Sequence, residues 1–167
     1  EMFQAGELQQ MLADKGVASH QAIEQTWNDA PPDKRARLLT ILGRRLSPSG
    51  LEVFVRALFQ PDLTEATAKA LIEARDQFDA PLQKQLRESV TQLLASAPLP
   101  DSCVAQILTL LGKVDAAGSR ALLQKHTTAK FPTDVRAAAL RSLAGSKLSD
   151  AQVKELFAVL EDQKQQG

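Results

Sequence analysis

The stretch that most limits what this chain can fold into is Phe131 to Leu160, FPTDVRAAALRSLAGSKLSDAQVKELFAVL, which reads as one complete helical hairpin. Pro132 stands where a helix can begin, because its missing N–H would be unpaired there in any case, and Asp134 puts negative charge into the first turn. Val135, Ala139, Leu140 and Leu143 recur at helical spacing as one apolar stripe, and Gly145 ends the run. Ser149 is the expected N-cap of a second helix whose stripe is Val153, Leu156, Phe157 and Leu160. Two amphipathic helices joined by a few residues lie antiparallel, and neither hides its stripe alone. A unit of this kind needs neighbours.

The sequence supplies them. Pro31, Leu38, Leu39, Leu42 and Gly43 recur in the same spacing as Pro100, Ile107, Leu108, Leu111 and Gly112, and once more as Pro132, Ala139, Leu140, Leu143 and Ala144. The second step is close to one solenoid period of about 34 residues and the first step is close to two, so a third hairpin is expected between the first pair. The expected fold is all-α: an α-α superhelix, a right-handed solenoid, of about five antiparallel hairpins at about 4–29, 31–60, 62–96, 100–127 and 131–163, forming a single domain over 1–167.

In chain order, hairpin one carries Leu8, Met11 and Leu12 before Gly16, then a helix capped by Ser19 with Ile23 and Trp27 inward, ended by Ala30-Pro31-Pro32. Hairpin two joins the Leu38 stripe to a helix started by Ser47-Pro48-Ser49 and bearing Leu51, Phe54, Val55 and Leu58. Hairpin three is the least regular: Asp62 and Thr64 are placed to cap a helix with Leu63, Ala68, Leu71, Ile72 and Phe78, and Arg75 stands near a position that is Leu elsewhere. Its partner helix from Pro81 runs Leu82, Leu86, Val90, Leu93 and Leu94. In hairpin four Asp115 is the expected cap of a return helix holding Leu122 and Leu123. Trp27, Phe54, Phe78 and Phe157 all read as core.

Composition narrows the partners. Twenty Lys and Arg balance twenty Asp and Glu, and no third of the chain carries a large excess of either sign. That argues against a nucleic-acid binder, which must neutralise phosphates, and against attraction to anionic lipid. No run of eighteen apolar residues exists, so no membrane insertion is expected. Cys103 is the one cysteine, which excludes an internal disulfide and leaves the compartment, cytoplasmic or exported, undecided. The opening at Glu1 rather than Met reads as an excerpt of a longer chain.

Asp134-Val135-Arg136 followed by Ala138, Ala139, Leu140 and Leu143 resembles the HEAT repeat, in which a D-x-V-R-type turn enters a helix of small and aliphatic residues. Asp33-Lys34-Arg35 followed by Leu38, Leu39 and Leu42 looks like a looser copy. The resemblance implies a helical solenoid that binds proteins or peptides, and a structural role between repeats for Asp134 and Arg136; Ser102 and Val104 stand at their places in hairpin four. The expected function is a non-enzymatic protein–protein interaction scaffold.

Two alternatives stay open. The chain is also similar to HEAT-like helical segments of large exported bacterial proteins that combine a dehydrogenase-type propeller with a haem-binding domain, in which case its partners are adjacent domains of the same polypeptide. Residues 34–58 look somewhat like the late helices of a caspase-recruitment death-fold domain, another interaction module.

Catalytic patterns are missing. His20 and His126 have no Cys or acidic residue at metal-ligand spacing, and no phosphate-binding glycine loop or nucleophile-elbow sequence occurs, so neither a cofactor nor a metal is expected. His126 reads as a cation-capable group near a helix C-terminus and Cys103 as a small buried hydrophobe. The most suggestive polar group is Lys34, Arg35, Arg37, Arg44 and Arg45, five cations in twelve residues. Arg37 and Arg44 share a helical face, and Lys34, Arg37, Arg44 and Arg141 are the candidate contacts for an acidic partner; the competing reading pairs them with Glu52, Asp33 or acids of a neighbouring hairpin.

Overall fold

Pro31 holds an extended backbone and so forces the chain to restart, which sets the first complete helix of the computed structural model, α1, at Pro32–Gly43. The structure describes residues 26–144 and, beyond them, 150, 151, 153, 154, 157, 158 and 161. The expectations for Leu8, Met11, Leu12, Gly16, Ser19, His20 and Ile23, and for Gly145, Ser149, Leu156 and Leu160, lie outside the described residues.

After α1 come α2 (Pro48–Leu58), α3 (Pro61–Glu73), a 3-10 turn (Arg75–Gln77), α4 (Ala80–Ser96), α5 (Asp101–Val114), α6 (Arg120–Lys125) and α7 (Thr133–Leu143). Residues 26–29 are also helical, and no strand occurs among the described residues. The protein is all-α.

Helix starts follow local chemistry. Ser47 Oγ accepts from Gly50 N–H at 3.0 Å and opens α2, while Asp79 Oδ1 accepts from Leu82 N–H at 2.9 Å and opens α4. At α3 the expected capping roles change hands. Gln60 is the N-cap, with Pro61 first in the helix, and Thr64 is wholly buried, its hydroxyl donating to Leu58 O at 2.8 Å. The cap is lost because proline starts the helix earlier than Asp62 or Thr64 would. Asp115 is likewise no cap of α6, which begins five residues later; its Oδ1 accepts from Gly118 N–H at 3.1 Å and closes the intervening turn.

Helix α2 buries Leu51, Val53, Phe54, Val55, Ala57 and Leu58, so it is covered over most of its circumference. Helix α4 fully buries only Leu82, Leu86 and Val90, and Leu93 and Leu94 near its end pack half-buried against the same core. Trp27, Leu39, Leu42, Leu71, Phe78, Ile107, Leu110 and Leu111 join these residues in one continuous apolar core. A second core gathers Leu108, Leu123, Val135, Ala138, Ala139 and Leu143, so α5 feeds both.

The packing order is regular. Helix α1 packs on α3, α3 on α5 and α5 on α7; α2 packs on α3 and α4, α4 on α5, and α6 on α7. Side-chain to backbone hydrogen bonds tie the same neighbours. Gln77 Nε2 donates to Gly43 O at 2.7 Å while its Oε1 accepts from Leu46 N–H at 2.8 Å. Gln83 Nε2 donates to Val114 O at 3.0 Å, Gln85 Nε2 to Pro48 O at 2.9 Å, and Ser142 Oγ to Leu108 O at 3.1 Å.

Helices α5 and α7 approach tightly: a Cβ on Gly112 would run into Ser142 Cβ and sit 2.9 Å from its Cα. Only glycine fits. On the other side of the contact Ala137, Ala138 and Ala139 are all buried, small enough to let the helices close. Ala144, in register with Gly112, is exposed at the end of α7.

Candidate functional site

Arg35 leaves the basic cluster of α1 first. Its Nε donates to Trp27 O at 3.2 Å, its Nη2 to Asn28 O at 3.4 Å, and its guanidinium lies over the Trp27 ring at 5.6 Å. It ties the preceding helix end to α1, with the buried Trp27 as its platform. Lys34, Arg37, Arg44 and Arg45 are exposed, and among the described residues none of them has an ion-pair partner. Their expected pairing with Asp33 or Glu52 is not formed.

Arg141 lies elsewhere. It is on α7, with α3 and α5 between it and α1, and it lines a cleft of about 580 Å³ together with Lys113 near the end of α5 and Arg120 at the start of α6. Thr109 and Ser142 add hydroxyls, and Gly112, Ala116 and Ala117 supply a wall of small residues. Among the described residues no acid lines this cleft. The one acid of the adjacent turn, Asp115, is 7 % exposed and is turned onto Arg87 Nη1, which holds its charge away from the cleft. Lys113 and Arg120 carry no signal in the linear sequence: they meet Arg141 only because Gly112 lets α7 lie directly on α5.

Of the residues singled out between repeats, Asp134 is exposed in the first turn of α7 and Arg136 is half-buried. Cys103 is buried, as a small apolar side chain would be. Phe157, expected in the core, is 61 % exposed, while Val153 one turn earlier is half-buried. Periodicity places a residue on a face but does not say whether anything covers it, and no described residue covers Phe157.

Burial also revises the role of His126. The ring stacks on Phe131 at 4.4 Å between centroids, and Nδ1 donates to Leu122 O at 2.8 Å, which fixes the proton on Nδ1. Desolvation pulls its pKa below the ordinary histidine value; the Leu122 carbonyl opposes this and the nearby Lys125 charge adds to it. The position is the C-cap of α6, as the sequence implies, but the ring is neutral at pH 7 rather than a cation for the helix end.

Among the described residues no group of three His, Cys, Asp or Glu side chains is placed to hold a metal, and no helix is long and apolar enough to cross a membrane. No family model, curated protein or solved structure matches the chain.

Proposed function

We propose that the protein is a non-enzymatic interaction scaffold: an α-α superhelix of about five HEAT-like hairpins whose side surface binds another protein or a peptide. The observation that carries this reading is the packing order, in which α1, α3, α5 and α7 follow one another and each touches the next. The cross-connecting hydrogen bonds agree with it. They join positions 31, 34, 31, 37 and 34 apart, close to the period counted in the sequence. A closed bundle would bring distant segments together; a stack bonds each unit to the next.

The exposed cations Arg37 and Arg44 of the α1 region, which make no ion pair among the described residues, form one candidate contact surface, suited to an acidic partner. Exposed long side chains pair across an interface at little structural loss. The test is capture on the immobilised chain, wild type against Arg37→Glu/Arg44→Glu, with each retained protein identified and then purified. A purified protein that binds the wild type and not the variant, with helical circular dichroism and melting unchanged, supports the reading. Equal binding to both removes this surface, and turnover of any small substrate by the isolated chain would sink the scaffold assignment as a whole.

A further inference from the structure

We infer that the cleft between α5 and α7 is a second contact site, which takes an acidic peptide segment of a protein partner. The inference rests on the scaffold reading and names the chemistry of one of its sites.

Charge complementarity carries it. Lys113, Arg120 and Arg141 converge on one cleft of about 580 Å³ in a chain whose formal net charge is zero, and no carboxylate of the described residues lines that cleft. Lys113 and Arg141 are exposed and make no ion pair among the described residues, so their charges are available to a ligand. Asp115, in the turn after α5, is buried against Arg87 and Gly118 N–H.

The opposing effect is the negative end of each helix. Lys113 and Arg141 stand in the last turns of α5 and α7, where exposed carbonyls amount to about half a negative charge per helix. The two free cations already exceed that sum, so the cleft keeps a net positive field. Its size falls in the range of ligand sites, about 300–1,000 Å³. The small exposed side chains of Ala116 and Ala117 let an extended backbone approach, and because the hydroxyls of Thr109 and Ser142 already donate to Ala105 O and Leu108 O, a ligand's carboxylates are met by the cations. Cations spread around such a wall match several carboxylates along a peptide better than one compact anion.

Fluorescence anisotropy with a fluorescein-labelled hexaglutamate peptide tests this, with the hexaglutamine peptide as control and inorganic phosphate as competitor. The expected result is hexaglutamate binding that weakens at least tenfold in Lys113→Glu/Arg141→Glu, weakens less in Lys113→Gln/Arg141→Gln, and changes less than twofold in Arg37→Glu/Arg44→Glu. Both sets replace exposed side chains, and circular dichroism confirms that each variant folds. No binding by the wild type, equal binding of the two peptides, or equal loss in the cleft and α1 variants would overturn the inference. So would displacement by millimolar phosphate but not by chloride at matched ionic strength, which would reassign the cleft to a phosphate group. If the peptide fails while capture of a folded partner persists, the cleft assignment falls and the scaffold reading stands; peptide binding without any captured partner does the reverse.

Discussion

Gly112 shows how much of this architecture hangs on a single missing atom. Its equivalent in hairpin two, Gly43, has room: a Cβ there would meet Ala70 O at 3.6 Å and Phe54 Cζ at 3.7 Å, ordinary contact distances. At Gly112 the same atom would drive into Ser142. Gly112→Ala is therefore expected to destabilise the protein by about 1–3 kcal/mol through overpacking, whereas Gly43→Ala leaves stability unchanged or gains up to about 1 kcal/mol from helix propensity. Thermal melts of the two variants read the difference directly, since about 1 kcal/mol shifts Tm by about 2–4 °C in a chain of this size. The repeat register put both glycines at the same place; the crowding at one of them comes from the neighbouring helix and has no local trace.

His126 gives a pH dependence whose sign can be worked out. Its folded pKa lies below the unfolded value of about 6.5, so in the window between the two the unfolded chain binds more protons. Stability is then fully present above about pH 6.5 and declines as pH falls from there toward the lowered folded pKa. Melting between about pH 7.5 and pH 5 should show this decline, and His126→Gln, which keeps a donor to Leu122 O, should reduce it. A variant with the same slope as wild type would place the proton uptake elsewhere.

At the scale of elements, the interior starts and stripes were the legible part. Ser47 was readable as a cap because capping needs only the residues that follow it, and Ser47→Ala is expected to lose about 1 kcal/mol. Asp115 reads as a cap from its neighbours alone, but its carboxylate is taken by Gly118 N–H and by Arg87, which arrives from α4, well upstream in the chain. Gln77 illustrates the same limit. Hairpin three has an irregular stripe, and beside its apolar packing on hairpin two a polar side chain bridges Gly43 O and Leu46 N–H. Gln77→Ala should remove about 1–2 kcal/mol and raise amide exchange at Leu46 before it affects α5 or α7. Uniform loss of protection through all helices would contradict a chain of neighbouring units.

For the molecule as a whole, the all-helical character follows from a hydrophobic period that any reader of the sequence can count, while the proposed stack goes further than the contacts of α1 with α3, α3 with α5 and α5 with α7. The cationic residues were legible singly, and their grouping was not. Arg37 and Arg44 share one stretch of chain, so their relation is local, while Lys113, Arg120 and Arg141 come together only through the α5–α7 contact. Small-angle X-ray scattering of the monomeric chain tests the central claim most directly. A compact fold of 167 residues would have a radius of gyration of about 15 Å. Successive helices spaced about 8–10 Å apart instead give an elongated particle. A radius of gyration clearly above the compact value, with a skewed pair-distance distribution, is the predicted result; a radius equal to the compact value, with a symmetric distribution, would contradict the stack.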